Sequence, residues 1–572
     1  MQMVSSDGSS FKGEDLMTKP RSRSYWIGLS LQAAIALGYC AWVLSMPVFP
    51  SQDGPLHLYC VEVFRQLLAH HSGPYAQTYF INRYVPPYSL YYYGLIGLGK
   101  MVSLSMADKL IVCSYFVIMP LGLRSLVRSI AGSADWTPLL FMPVLLSWPL
   151  MMGFVNFCIA LGFACFALSI WTRNQTRGGL RARVPFLLWL VLILLTHPVP
   201  WMFVLGFCFF DLGLRLLRFW VAHDRTAARD RLGFFRADLL SALAGCLGYL
   251  YLLHFRSPLP PNDPIPYVPL VQRTLHNASD YVRTRGLTLY AGTHGVALVY
   301  RLAIALVFAG TLLVAIRFGV PMLRERRWSA PVVWLLFSVF FLLVLPTIPT
   351  ELNGSYYFAW RLLFLLFLCV VVASSVAMEH PGRVRLVLVT GAIAASVVNI
   401  WMAARLISPQ ARLISSVMNA PLVPSDKPGL VMWPAGGWRP EQLTFNPEEW
   451  GAANYFREHN LVLYNTSWMY IEIIPIKPLP DRLPQLEYKY EIQVPRPGGP
   501  LMRTPEEARG LLDRVGFVLA MRINTPPWQS PFSDVEGGTT PGVWAAGWIC
   551  DAQPAWSLCV PAGGRWMQKS SR

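Results

Sequence analysis

Charged side chains are scarce in this sequence of 572 residues. Asp, Glu, Lys and Arg together make up 14% of the chain, hydrophobic residues make up 54%, and the mean hydropathy is +0.41. A soluble protein of this length carries more charge and less apolar surface. The composition therefore excludes an ordinary soluble protein and indicates a chain whose solvent is largely lipid.

Three further absences narrow the possible functions. The ten cysteines include no Cys-x-x-Cys pair, which argues against a zinc or thiol-redox site. No internal repeat is evident, and this weakens the hypothesis of a transporter built from inverted repeats. The first apolar segment lacks a small-residue cleavage site, so we interpret it as a retained membrane span rather than a cleaved signal peptide.

The basic residues follow a pattern typical of membrane proteins. The net charge is +17, and most of the excess Arg lies in short loops between apolar segments. This favours the positive-inside rule over nucleic-acid binding, so we predict no nucleic-acid partner. Residues 1–24, with Lys19, Arg21 and Arg23, are predicted to form a cytoplasmic tail.

Apolar segments of suitable length predict about 11 membrane spans. They are Tyr25–Met46, Pro87–Leu104, Leu110–Leu126, Phe154–Trp171, Val184–Leu195, Val199–Leu217, Leu239–Leu253, Val296–Ile316, Pro331–Leu345, Phe358–Met378 and Leu386–Ala403. The segment Leu139–Leu150 is interpreted as re-entrant or half-length, because a full crossing there would move the later Arg-rich loops to the outside. Arg124 and Arg128 remain exceptions to this topology.

The sequence predicts two main domains beyond the N-terminal tail. Residues 25–406 form the transmembrane domain with an outer loop at 47–86, and residues 407–572 form a small α/β domain outside the cytoplasm. That tail is rich in Pro, Gly and Trp, has no run of spanning length, and contains short apolar runs at 430–433, 461–464, 517–521 and 543–549 that could be strands. Cys550 and Cys559 are predicted to form a disulfide in this exported tail.

The most informative segment follows the first span. Asp53 lies at an expected helix start, and His57 lies four residues later, so both side chains can share one helix face. A carboxylate and an imidazole at the membrane surface could deprotonate a hydroxyl group or bind a metal ion. The alternative is that Asp53 only caps the helix and His57 is an interfacial residue.

This arrangement resembles the GT-C superfamily of polytopic membrane glycosyltransferases. The resemblance rests on an acidic residue just beyond the first span, about a dozen spans, a cytoplasmic N-terminus and an extracytoplasmic C-terminal domain. It covers roughly Tyr25 to Ala403 at the level of architecture. Many members carry a paired acidic signature in the first outer loop, whereas this sequence has the single Asp53 followed by Gly54.

The resemblance implies a polyprenyl-phosphate-linked sugar as donor and an extracytoplasmic hydroxyl acceptor, with Asp53 as base and His57 beside it. It also implies an integral multi-pass protein of a bacterial inner or cell membrane. Cations at the outer face would hold the donor phosphate. The candidate substrate-binding residues are Arg361, Arg83, His197, Tyr356, Tyr357, Glu351 and Asn156. Whether a divalent cation takes part stays open.

Each candidate also has a structural alternative. Arg361 could snorkel to the interface, the tyrosines around Arg83 could form an interfacial aromatic belt, and Asn156 could bond between helices. Three functions therefore compete: a GT-C-type transferase, a transporter or flippase, and a non-catalytic scaffold that presents the C-terminal domain. The transferase hypothesis expects the acidic loop, Arg361 and His197 to converge.

Overall fold

The computed structural model describes most of the chain. It covers residues 23–69, 72–81, 87–174, 180–222, 226–254, 287–290, 295–325, 329–347, 358–380, 382–425, 427–434, 451–463, 476–478, 493–494, 513–521, 548–552 and 556–561. Within these ranges, six helices are long and apolar enough to cross a membrane, and further apolar helices are shorter. The chain is an α-helical, polytopic membrane protein, as its composition predicts.

The helices in the membrane part succeed one another along the chain. They are α1 (Arg23–Ser45), α2 (Gly54–Ala69), α3 (Ser89–Leu98), α4 (Leu104–Ala131), α5 (Trp148–Met151), α6 (Val155–Asn174), α7 (Val184–Thr196), α8 (Pro198–Ala222), α9 (Thr226–His254), α10 (Gly295–Arg324), α11 (Ala330–Val344), α12 (Phe358–Ala373), α13 (Ser375–Glu379), α14 (Arg383–Leu406) and α15 (Ser408–Val417). We call the end of the bundle that contains Tyr25 the Tyr25 face and the end that contains Asp53 the Asp53 face.

The prediction that Pro87–Leu104 spans the membrane is wrong. Helix α3 is 10 residues long, which at 1.5 Å per residue covers roughly half of a hydrocarbon core of about 30 Å. Helix α4 then begins at the Asp53 face, where Lys109 Nζ donates to the Met46 carbonyl at 2.8 Å. It ends at the Tyr25 face, where the Arg124 guanidinium lies 4.3 Å from the Tyr25 ring centroid.

The rejection of Leu139–Leu150 as a full crossing is also wrong. A 3₁₀ helix at Thr137–Val144 starts at the Tyr25 face, where the Glu379 carboxylate accepts the backbone N–H groups of Trp136 and Thr137. The chain reaches the Asp53 face at Met152. This segment crosses in few residues because a 3₁₀ helix rises about 2.0 Å per residue. One predicted crossing is lost at α3 and one is gained here, so the number of crossings before α6 is unchanged. The later loops therefore lie on the same alternating sides as predicted.

With this path of the chain, Arg124 and Arg128 are no longer exceptions to the distribution of basic residues. The end of α4 lies at the Tyr25 face together with Arg173, whose Nη2 is 3.4 Å from Ser125 Oγ. Arg124 packs against Tyr25 and lies 4.0 Å from Asp135. These arginines therefore share one face with the chain's first helical residues, as the positive-inside rule expects of a single side. That this side is cytoplasmic stays a prediction.

A buried ionic network holds the helices together near the Tyr25 face. Arg183 donates to Asp238 at 2.7 Å, and both side chains are almost fully buried. Arg215 bridges Asp238 and Asp211, which lies one turn before it on the same helix. Trp171 Nε1 also donates to Asp211, at 2.9 Å. Each buried charge thus has an opposite partner, as a low dielectric requires.

The broken crossing segment depends on one buried amide. Pro143 lies inside the 3₁₀ helix Thr137–Val144, and irregular backbone in a bundle must find donors for its free carbonyls. Asn399 Nδ2 donates to the carbonyls of Pro143 at 2.8 Å and Leu146 at 3.0 Å. Tyr300 donates to Pro143 as well, and Tyr290 donates to Asn399 Oδ1.

We expect Asn399→Leu to destabilise the bundle. The variant removes the side-chain donor of the Leu146 carbonyl and one of the two donors of the Pro143 carbonyl. We expect the free energy of unfolding to fall by about 1–3 kcal/mol. Thermal unfolding of purified protein in detergent measures the effect. Val397 lies on the same helix and points outward, so Val397→Leu is the matched control. We expect it to leave the melting temperature unchanged. Equal melting temperatures for both variants would contradict this role of Asn399.

The C-terminal part contains the expected α/β elements. Strands β2 (Gly429–Pro434), β4 (Gln493–Val494), β5 (Phe517–Met521), β6 (Trp548–Ala552) and β7 (Trp556–Pro561) form a mixed sheet in the order β4-β2-β5-β7-β6. The runs at 430–433 and 517–521 are strands, as predicted. Helix α16 (Ala453–His459) packs on this sheet through Phe456, whose ring stacks on Phe517 at 5.2 Å.

This domain docks on the segment after the first span. Tyr59 Oη accepts the Leu463 N–H at 3.0 Å, and Tyr79 Oη donates to the Leu463 carbonyl at 3.3 Å. Strand β1 (Tyr79–Ile81) pairs with β3 (Ile476–Pro478) in an antiparallel ladder. Helix α2 is therefore held between the membrane bundle and the C-terminal domain.

Cys559 lies on β7 and is disulfide-bonded. Its direct partner in the antiparallel ladder with β6 is Cys550. Directly opposed positions bring Cβ atoms to about 4.5–5.5 Å, close to the separation a disulfide needs. The register therefore supports the predicted Cys550–Cys559 bond, which stays a prediction.

Candidate active site

The Asp53 loop is fixed by the end of the broken crossing segment. The backbone N–H groups of Gln52 and Asp53 donate to the carbonyls of Met151 and Met152 at 2.8 and 3.0 Å. Gly153 makes this approach possible: its φ is +98°, and an added Cβ would lie 3.0 Å from Asp53 Cβ. A side chain at this position would collide with the loop and strain the backbone.

Asp53 immediately precedes helix α2 and keeps part of its surface accessible. Its carbonyl accepts the His57 N–H at 3.0 Å, the first bond of that helix. Burial raises the pKa of the Asp53 carboxyl to about 7, and the Arg361 guanidinium opposes that rise. Near neutral pH this carboxyl is therefore poised between its acid and base forms.

Arg361 supplies the positive charge near Asp53. It lies in the first turn of α12 and is 4% exposed. Its guanidinium stacks 3.7 Å from the ring centroid of Phe154 and hydrogen bonds with the Tyr88 hydroxyl. Arg361 is thus held inside the bundle, which argues against the alternative of a snorkelling side chain.

His197 joins the same group through Tyr88. It lies between α7 and α8 and is buried. Its Nδ1 accepts the Val199 N–H at 3.1 Å. Its Nε2 lies 3.1 Å from the Tyr88 hydroxyl, and the two rings stack at 4.8 Å. The structure therefore brings His197, Tyr88, Arg361 and Asp53 together at one face of the bundle.

The other described candidates occupy neighbouring positions. His57 Nδ1 is 2.8 Å from the Tyr92 hydroxyl, and burial lowers the pKa of the His57 imidazole to about 4. His57 is therefore neutral at pH 7 and is held by α3. Asn156 is buried in α6, where its Oδ1 accepts the Phe157 N–H at 2.9 Å. The Phe157 ring contacts His197 at 5.4 Å.

Four predicted candidates lie outside the described residues: Arg83, Glu351, Tyr356 and Tyr357. Tyr88 and Gly153 also lie at this site, and neither is among the residues that the sequence predicts for it. Gly153 could have been noticed as the residue between the crossing segment and α6. Tyr88 was assigned to an aromatic belt, and nothing in its sequence context distinguishes it from Tyr91 or Tyr92.

The described residues do not assemble a metal site. Within that part of the chain, no group of three or more His, Cys, Asp and Glu side chains could hold a metal ion. Asp53 instead lies under the influence of a guanidinium. Among the described residues, a fixed cation therefore lies near this carboxylate and the side chains do not fit a divalent ion.

No protein-family model matches the sequence, and no curated protein matches it. The fold is similar to the crystal structure of ArnT from Cupriavidus metallidurans bound to undecaprenyl phosphate, with 11% identity and a TM-score of 0.47 over 87% of this chain and 94% of that one. The apo state of the same ArnT gives 13% identity and a TM-score of 0.44 over 86% and 92%.

Proposed function

We propose that this protein is a GT-C-type membrane glycosyltransferase that moves a sugar from a polyprenyl-phosphate donor to a hydroxyl acceptor at the Asp53 face. One observation carries the proposal: at the Asp53 face of the bundle, a partly accessible carboxyl whose pKa is about 7 lies near the buried Arg361 guanidinium. That pair provides a base and an anion-binding group in one place.

Asp53 is the base in this reaction. Its carboxylate takes the proton of the acceptor hydroxyl while the hydroxyl oxygen forms a bond to the anomeric carbon of the sugar. The bond from that carbon to the phosphate oxygen breaks, and the polyprenyl phosphate leaves with the electron pair. A base is most effective when its pKa lies near the working pH, and burial brings Asp53 to that value.

Arg361 binds the phosphate of the donor. Negative charge grows on this phosphate as the bond to the sugar breaks, and a planar guanidinium can bind two phosphate oxygens at once. Its stacking on Phe154 and its bond to Tyr88 hold the group before substrate arrives. Such preorganised charge is the main source of stabilisation in many transition states.

The pH dependence of transfer tests the proposal. We expect the rate to rise about tenfold per pH unit below pH 7 and to level off above it, because the base form of Asp53 is required. An ordinary Asp, with a pKa of 3.8, would give a flat profile over pH 5 to 8. The assay uses purified protein in lipid, a polyprenyl-phosphate sugar as donor and purified membranes as the source of acceptors.

The same preparation separates the competing functions. A transporter or flippase would move the lipid-linked sugar between leaflets without releasing polyprenyl phosphate. A scaffold would do neither. Loss of sugar from the donor in the presence of acceptor therefore supports transfer, and leaflet exchange alone would contradict it.

A further inference from the structure

Tyr88 has an unusual backbone for its residue type. Its φ is 75° and its ψ is −6°, in the left-handed region that bulky residues rarely adopt. Among the described residues, the other non-glycine with positive φ is Asn460, which ends a helix where Asn is common. Strain of this kind persists only where the surroundings enforce it.

The strained backbone of Tyr88 places its hydroxyl against His197, and the hydrogen bonds of His197 show which atom is the donor. Its Nδ1 accepts the Val199 N–H, so the proton of the neutral imidazole is on Nε2. Nε2 therefore donates to the Tyr88 oxygen, at 3.1 Å. This bond and the ring stacking at 4.8 Å fix where the hydroxyl lies.

The Tyr88 oxygen also contacts the guanidinium. Arg361 hydrogen bonds with Tyr88, and an Arg side chain can only donate. The oxygen thus accepts from His197 on one side and from Arg361 on the other. Among the described residues, the titratable groups that interact with Arg361 are Tyr88, Asp53, Cys158 and His197, and the charge that interacts with Asp53 is Arg361.

We propose that Tyr88 is a positioning residue of this site: its strained backbone and its bond from His197 fix the hydroxyl that holds the Arg361 guanidinium near Asp53. Tyr88 acts through Arg361 rather than on the reacting atoms. Its effect on transfer rests on the proposed function, but its effect on Asp53 does not. The two claims can therefore be tested separately.

Carbodiimide labelling of Asp53 tests the positioning role without any substrate. A carbodiimide modifies the protonated carboxyl, so the extent of labelling against pH, read by mass spectrometry, reports the pKa of Asp53. Tyr88→Phe keeps the ring and removes the hydroxyl. We expect the labelling midpoint to move up by about one pH unit, because the cation is no longer held near the carboxyl.

Two comparisons distinguish positioning from a merely structural role. Tyr92→Phe removes the hydroxyl that bonds to His57 and should leave the midpoint unchanged. In an Arg361→Met background, Tyr88→Phe should have no further effect on the midpoint, since the guanidinium is absent; additive shifts would overturn the proposal. An unchanged midpoint in Tyr88→Phe alone would also overturn it.

Kinetics give the second readout. If the chain transfers sugar, Tyr88→Phe should raise KM for the polyprenyl-phosphate donor about tenfold and leave KM for the acceptor unchanged. If the wild-type protein transfers no sugar, the proposed function fails, and the labelling midpoint still decides the role of Tyr88.

Discussion

Asp53→Asn is expected to remain folded and inserted yet to lose sugar transfer by a factor of about 10² or more. Asn keeps the shape of the side chain and caps a helix as well as Asp does, but it cannot take a proton. A helix cap alone therefore predicts nearly intact activity, whereas a base predicts the loss. Initial rates with a polyprenyl-phosphate sugar and purified membranes measure the difference.

Asp108→Asn is the matched control for this variant. Asp108 is also a buried carboxyl near the Asp53 face, but it accepts from the Tyr91 hydroxyl at 3.3 Å. Asn can accept the same bond, so we expect transfer to continue. A fully active Asp53→Asn protein would remove the residue-level basis for a transferase.

Arg361→Met should lower kcat/KM for the lipid-linked donor by roughly 10², because a buried guanidinium that binds phosphate is lost. It should also move the rising limb of the pH profile above pH 7, since the cation that opposes the rise in the pKa of Asp53 is gone. The two effects separate at high pH. There, Asp53 is ionised in both proteins and only the phosphate-binding defect remains.

Arg405→Gln tests whether any lost arginine has this effect. Arg405 is exposed in the last turn of α14 and stacks 5.7 Å from the Trp401 ring centroid. We expect its removal to change neither the rate nor the pH profile. Equal loss in both variants would point to general electrostatic attraction rather than to a site at Arg361.

Much of the membrane architecture could be predicted from apolar segment length and charge. Helices α1, α4, α6 and α12 overlap their predicted spans. A run of about 20 apolar residues has the length of a helix that crosses the hydrocarbon core, so such runs are readily identified. The two errors arose where length fails as a guide. Helix α3 is apolar but short, and the segment Thr137–Met151 crosses as a broken, partly 3₁₀ chain.

The site was predictable in part. Asp53 and Arg361 could be proposed from the sequence because each is a charged residue next to an apolar segment, where a buried charge needs a partner. Tyr88 could not be found, since its significance depends on a left-handed backbone and on a bond from His197, far away in the sequence. Asn399 was missed for a similar reason: its partners are carbonyls freed by a distant break in another segment.

The docking of the C-terminal domain on α2 sets an order of events during synthesis. The ribosome makes Tyr59 long before Leu463, and the bond between them spans 404 positions. Helix α2, which begins beside Asp53, therefore lacks this partner until the rest of the bundle and the C-terminal part have been synthesised. A nascent or truncated chain that ends before Leu461 carries every predicted span but lacks the surface on which α2 rests, so maturation of the site is coupled to completion of the chain.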